Sequence, residues 1–352
     1  MKKHYAANYM NEKKRFKNLN IVKRKLFSWQ TTLIGLLIVE FVIFGSLNSR
    51  FLNIINLMYS VGDFLYIAIA ALAMTCIIAA GGIDISIGSI MGLSSIITGF
   101  FWVKTSNIIL ATILGLISGV VAGTLNGILI LITQVNPLVI TLGSSFLFSG
   151  LALTLSGFAG STGFEGISGF PDSFVYIVNG SIFNIPNPIW ILLILTIIFY
   201  ILLHKTKFGR YLFLIGMNPE AAKYTGIEIK KLTIYNYAIS GLGGAIAGIL
   251  LVSYFTSARS DLGADAPLIV ITCAVLGGAS IYGGEGSIIG TLLASLLVGY
   301  LKYGLQMINI TSHQTNVFLG LVLILTISGR YFWDVLSTNY KNKEAVKRFK
   351  KT

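Results

Sequence analysis

The sequence predicts an all-α, polytopic membrane protein of about ten transmembrane helices, within a range of eight to ten. Three observations carry this. Of the 352 residues, 55% are hydrophobic and only 11% charged, too little polar material to coat a soluble domain of that length. Several apolar runs can cross a hydrocarbon core of about 30 Å, which takes roughly 20 helical residues. Lipid offers the backbone no hydrogen bonds, so those runs must be helices, and the 38 glycines suit membrane helices that approach closely.

The expected spans are 29–47, 60–80, 86–103, 107–131, 137–156, 189–204, 232–256, 268–282, 286–303 and 314–331. They form one transmembrane domain over 29–331. A basic N-terminal segment (1–28) precedes it and a basic tail (332–352) follows, both expected in the cytoplasm. Basic residues cluster from Lys2 to Lys25, from Lys205 to Lys231 and from Arg330 to Lys351. With the N-terminus inside, these clusters all fall on cytoplasmic loops, and only Arg50, Lys104, Arg259 and Lys302 fall outside, as the positive-inside rule requires. Trp29, Trp102, Trp190 and Trp333 lie near span ends, where amphipathic rings prefer the interface. The weak stretches are 60–104 and 268–303, where glycines interrupt the apolar pattern and a broken segment would read like a span. The longest exterior loop, 157–188, holds Glu165 and Asp172, and Pro171, Pro186 and Pro188 argue against a continuous helix there.

The formal net charge of +13 does not indicate nucleic acid, because each basic cluster abuts an apolar run and no aromatic interleaving accompanies it. The first apolar run is too long for a signal-peptide core and is expected as a retained span. Cys76 and Cys273 fall within apolar runs as small buried hydrophobes. No Gly-Lys dipeptide is present, which excludes a phosphate loop of the usual form. His4, His204 and His313 are far apart, and no metal or nucleophile pattern is visible. Glu40, Asp63, Asp84 and Lys302 are expected near span ends or in glycine-rich breaks, which leaves few mid-membrane groups for ion coupling.

A weak internal repeat pairs Gly88-Ser89-Ile90-Met91-Gly92 with Gly286-Ser287-Ile288-Ile289-Gly290. Each follows a Gly-Gly pair, Gly81-Gly82 or Gly277-Gly278, and Gly283 and Gly284 extend the second. Repeats of this kind are common in transporters, with the pathway near the repeat interface. Two segments carry chemistry. In Gly82-Ile-Asp84-Ile-Ser86-Ile-Gly88-Ser89, Asp84 or Ser86 is a candidate N-cap and packing corner. The alternative is solute contact by Asp84, Ser86, Gly88, Ser89 and Asn126. In Gly216-Met-Asn218-Pro219-Glu220-Ala221-Ala222-Lys223-Tyr224-Thr225-Gly226-Ile227, Asn218 is a good N-cap, Pro219 fits the first helical position, and Glu220 complements the helix dipole. Gly226 ends the helix. Such a helix within the cytoplasmic loop 205–231 either lies on the membrane surface or binds a cytoplasmic partner.

These motifs, with Leu276-Gly-Gly-Ala-Ser-Ile-Tyr-Gly-Gly-Glu-Gly-Ser-Ile-Ile-Gly-Thr291, resemble the ribose/xylose/galactose-type permease subunits of bacterial ABC importers. That group lies within the branched-chain amino acid/monosaccharide permease superfamily, and one branch imports the autoinducer-2 signal. The resemblance covers roughly residues 50–331; the first 28 residues match nothing in it. It implies a multi-pass subunit in the bacterial cytoplasmic membrane that forms the pathway for a ribose-like monosaccharide or related polar solute. It also implies a second permease subunit, an extracytoplasmic solute-binding protein, and cytoplasmic ATPases that carry the ATP and magnesium. The chain itself would hold no cofactor and catalyse nothing. By the same resemblance, residues 218–227 form the helix that couples to the ATPase. The alternative is a self-sufficient channel or ion-coupled carrier.

Overall fold

The computed structural model describes residues 29–161 and 166–311, with scattered positions from 314 to 328. The terminal segments 1–28 and 332–352, Glu165, His313, Trp333 and half of the expected span 314–331 lie outside the described residues. The chain begins with α1 (Trp29–Leu47), then α2 (Ile54–Tyr59) and α3 (Val61–Ala79), which abut at Ser60. Next come α4 (Ile87–Thr105), α5 (Ile108–Thr133) and α6 (Pro137–Phe158). The loop 157–188 folds, where it is described, into α7 (Asp172–Asn179) and a two-residue antiparallel hairpin of β1 (Ser181–Ile182) and β2 (Ile185–Pro186). Then follow α8 (Asn187–Tyr200), which runs on through a π turn to Lys205, α9 (Lys207–Met217) and α10 (Pro219–Tyr224). The described helices end with α11 (Ile229–Phe255), α12 (Ala266–Leu276) and α13 (Ile288–Met307). Among the described residues, 8 stretches are long and apolar enough to cross a membrane.

The expected span 268–282 is corrected. Its helix, α12, has 11 residues, so it rises about 16 Å, half of a hydrocarbon core. It stops because Gly278, Gly283 and Gly284 take φ of 106°, 85° and 78°, values that a right-handed helix excludes. The glycine-rich pattern that reads as a span is a half-length helix followed by a break.

The helix ends are satisfied locally, as a low-dielectric surround requires. Asn107 Oδ1 accepts the Leu110 N–H at 3.1 Å, Asn136 Oδ1 the Leu138 N–H at 2.9 Å, and Ser287 Oγ the Gly290 N–H at 3.1 Å. The indoles act as ties as well as interface anchors. Trp29 Nε1 donates to the Leu276 carbonyl at 2.6 Å, fastening the start of α1 to the end of α12, and Trp102 Nε1 donates to Gly169 O at 3.0 Å.

Helix α3 is the axis of the molecule. From Phe64 to Ala79 every residue except Tyr66 is buried, so this helix is apolar all round, as a central one must be. Around it pack α11, α12, α13 and α8. The tightest seam joins α5 to α11. Gly115, Gly119, Gly123 and Gly127 recur every four residues along one face of α5. A Cβ at Gly119 would strike Ala245 and the Gly241 carbonyl; one at Gly123 would strike the Tyr237 carbonyl; one at Gly241 would strike the Gly119 carbonyl. The outward faces of α1, α5, α6 and α8 carry exposed Ile38, Val42, Ile109, Ile132, Phe146, Ile194 and Ile198, as lipid-facing helices do.

Two further expectations change. Glu40 is not near a span end: it is well inside α1, 8% exposed, and neither carboxylate oxygen has a hydrogen-bond partner among the described residues. The repeat holds in form and not in register. Both copies run helix, glycine-rich break, helix, but Ser89 lies inside α4 whereas its counterpart Ser287 is the N-cap of α13.

Replacing Gly123 by Val forces a branched side chain into the α5–α11 seam. We expect a cost of about 1–3 kcal/mol, read as a lower thermal midpoint of the purified protein, while Gly143→Ala, with open space around it, leaves the midpoint near wild type.

Candidate functional site

The turn between α3 and α4 places the first candidate segment. Gly81, with φ of 82°, reverses the chain, and Asp84 and Ser86 then point into the bundle, both fully buried. Asp84 Oδ1 accepts the Ser86 N–H at 3.0 Å and the Ser86 hydroxyl at 2.6 Å; Oδ2 accepts the Ser240 hydroxyl of α11 at 2.7 Å. Asn126 of α5 donates from Nδ2 to Ser86 Oγ at 2.7 Å. Ser86 stands at the N-cap position of α4 but makes no capping bond with its side chain. Asp84 holds the turn instead.

Three of the five candidate pathway residues, Asp84, Ser86 and Asn126, are thus joined in one chain of hydrogen bonds across the α3–α4 turn, α5 and α11. Ser89 turns its hydroxyl to the Ser86 carbonyl at 2.8 Å, and Gly88 admits the close approach of Gly263 and Pro267. Burial pushes the Asp84 carboxyl above its ordinary value, against the opposing effect of the Ser86 and Ser240 hydrogen bonds. Asn126 Oδ1 and Asn236 Oδ1 are buried without a partner among the described residues. Asn236 and Tyr237 also line a small cavity of about 150 Å³, together with Gly81, Gly82 and Pro137. Ser240 completes the network, and nothing in its own neighbourhood in the sequence marks it as a partner for Asp84.

The second segment forms the helix its residues predict. Asn218 adopts φ −161° and ψ 100°, breaking α9 from α10, and its Oδ1 accepts the Ala221 N–H at 3.0 Å. Pro219 takes the first helical position, Glu220 lies in the first turn, and Gly226, with φ of 78°, follows the last. Ala222 alone of α10 is buried, while Met217 and Tyr224 are 63% and 88% exposed. Ile227 is half-buried and leads into α11.

Sequence alone does not disclose what carries this helix. Helix α9 buries Gly209, Leu212 and Ile215, so the loop is moored to the bundle. Its last turn contains Gly216, where a Cβ would strike both the Ala79 carbonyl and the Gly284 amide. Those two groups are hydrogen-bonded to each other, Gly284 N to Ala79 O, at 2.9 Å. Gly283 also abuts Gly216, and Gly284 abuts Met217. Gly277, at the end of α12, presses against Gly290 and Thr291 of α13, and Gly286 lies beside Thr75. Gly283 and Gly284 of the second repeat copy, with Gly81 of the first, therefore meet the chain where the loop helix begins, whereas Gly88 and Gly92 of the first copy pack against residues 260–267.

Asp63 lies in the first turn of α3 and Asp84 beyond its last residue, with 16 residues of helix, about 24 Å of rise, between Asp63 and Ala79. Asp63 lines a cavity at its end of the bundle whose walls include neither Asp84 nor Glu40. Among the described residues no three His, Cys, Asp or Glu side chains gather into a metal site.

Replacing Asp84 by Ala strands the Ser86 amide and two buried hydroxyls. The expected loss is about 3 kcal/mol, against about 1 kcal/mol for Ser240→Ala, compared by thermal midpoint and folded yield; equal effects would show that Asp84 is not the centre of the network.

Comparison with known proteins is consistent with this architecture. Residues 56–327 match the family described as branched-chain amino acid transport system / permease component. The chain is 46% identical over 303 residues to the autoinducer 2 import system permease protein LsrD of Enterobacter sp. (strain 638), covering 86% of this chain and 93% of that protein. It is 47% identical over 309 residues to LsrD of Klebsiella pneumoniae, covering 88% and 93%. It is 48% identical over 304 residues to LsrD of Escherichia coli (strain K12), covering 86% and 92%. No solved structure matches the chain. These relatives favour a permease subunit over a self-sufficient channel or carrier. With family, relatives and eight apolar helices in agreement, the chain belongs to the branched-chain amino acid transport system / permease component family, as a multi-pass membrane permease.

Proposed function

We propose that this chain is one permease subunit of an ABC importer for a small sugar-like solute of the autoinducer 2 kind, and that the segment Asn218–Ile227 couples it to a separate ATPase. The solute follows from the relatives, whose names specify autoinducer 2 import. The single observation that carries the coupling is the exposed, Asn218-capped α10, mounted on the junction of Ala79, Gly216 and Gly284. A surface helix meant for lipid would present a broad apolar face. Helix α10 has six residues, Pro-Glu-Ala-Ala-Lys-Tyr, too few for such a face, and all but Ala222 are exposed. A force applied to it passes into the ends of α3 and of the α12–α13 break.

In this reading the loop 205–231 and both chain ends face the cytoplasm, and the 157–188 loop faces the solute-binding protein. ATP and magnesium belong to the ATPase, and the membrane pathway is completed by a second permease subunit, either identical or related. The Asp84–Ser86–Asn126–Ser240 network acts as the packing corner that fixes the α3–α4 turn beside the coupling junction. Its carboxylate is already occupied by three hydroxyl or amide donors, which leaves it little capacity to bind solute.

The coupling assignment is tested by co-purification. A tagged chain expressed with its ATPase should recover the ATPase, whereas Glu220→Lys or deletion of 218–226 should lose it with membrane insertion intact. Undiminished ATPase recovery in these variants would overturn the assignment.

A further inference from the structure

At the end of the bundle away from α10, the start of α3, the end of α11, the loop 259–263 and the end of α13 enclose a cavity of about 360 Å³. That volume is within the range of small-molecule sites, about 300–1,000 Å³. Its walls are unusually polar for a membrane protein: Asp63, Tyr66, Tyr254, Arg259, Asp261 and Lys302 all contribute. Two carboxylates face two cations, so the formal charge of the lining is zero.

The charged groups are held in place from the side. The Tyr254 hydroxyl donates to Asp63 Oδ1. Arg259 forks onto Asp261, with Nε 2.9 Å from Oδ1 and Nη2 on Oδ2, and that carboxylate keeps the guanidinium pKa above its ordinary value. The Lys302 ammonium makes no ion pair among the described residues, and the Tyr66 hydroxyl makes no hydrogen bond there. Gln306 stands exposed at the rim, and Leu251 and Phe255 supply an apolar patch.

We infer that this cavity is a binding site for a small, neutral, polyhydroxylated molecule, a monosaccharide or cyclic polyol. An anion would meet Asp63 and Asp261, and a cation would meet Arg259 and Lys302, so a guest carrying net charge is repelled from one wall. An apolar guest would leave the carboxylates and the ammonium desolvated without partners. A ring of hydroxyls suits both walls at once, donating to carboxylates and accepting from Lys302, in charge-assisted bonds stronger than neutral ones. Its C–H face fits the Tyr and Phe rings. The site lies within one chain and needs no second subunit.

This inference deepens the reading of a sugar-like solute given above, yet its test needs no ATPase. Failure here leaves the coupling result standing, and failure there leaves this site standing. The purified chain in lipid nanodiscs is dialysed against labelled D-ribose, D-xylose and autoinducer 2, with ribose 5-phosphate and glucosamine as charged comparators. Saturable binding of at least one neutral solute is expected, about tenfold tighter than either charged compound. Lys302→Met, which removes one charge-assisted hydrogen bond, should weaken it about tenfold. Gln306→Trp should block the rim from an exposed position, and unchanged thermal midpoints certify that both variants are folded. Absence of saturable binding by all three neutral solutes, preference for a charged comparator, or full binding in Gln306→Trp would each overturn the inference.

Discussion

One hydrogen bond organises the end of the molecule that bears α10: Gly284 N to Ala79 O, 2.9 Å long, with Gly216 lying directly over it. It joins the last residue of α3 to the break after α12, two segments more than 200 positions apart. The loop that bears α10 closes the junction. The two glycines are required by the absence of a side chain: a Cβ on Gly216 would separate the groups that bond beneath it, and one on Gly284 would strike Met217. Under the proposed coupling, α3 receives load at this end, and α11, α12, α13 and α8 hold it along its length.

How much of this is legible in the sequence depends on the range of the interaction. Hydropathy locates the long helices because the requirement it reports, 20 or so apolar residues per crossing, is local. The α10 helix is legible for the same reason: Asn218, Pro219, Glu220 and Gly226 each act within a few residues of themselves. Hydropathy fails at 268–282, where apolar content is high but left-handed glycines end the helix after Leu276. A count of apolar residues has no term for backbone handedness.

The site is legible only in part. Asp84, Ser86 and Asn126 stand out as polar residues in apolar surroundings, and they do meet. Their fourth partner, Ser240, is 156 residues from Asp84 and is one serine among many. Gly216 is likewise one of 38 glycines, and its place over the Ala79–Gly284 bond becomes visible only in three dimensions. Glu40 shows the converse error. Its position well inside α1 follows from the helix limits, but its burial depends on the helices packed against α1.

The glycine stripe of α5 has a mechanical corollary. Where Gly119 and Gly123 meet Gly241, peptide planes touch without intervening side chains, so no rotamer can change to absorb sliding. Helices α5 and α11 are welded into a single beam. Any alternation between open and closed forms must then take place along seams lined by flexible side chains, with this beam moving as one part.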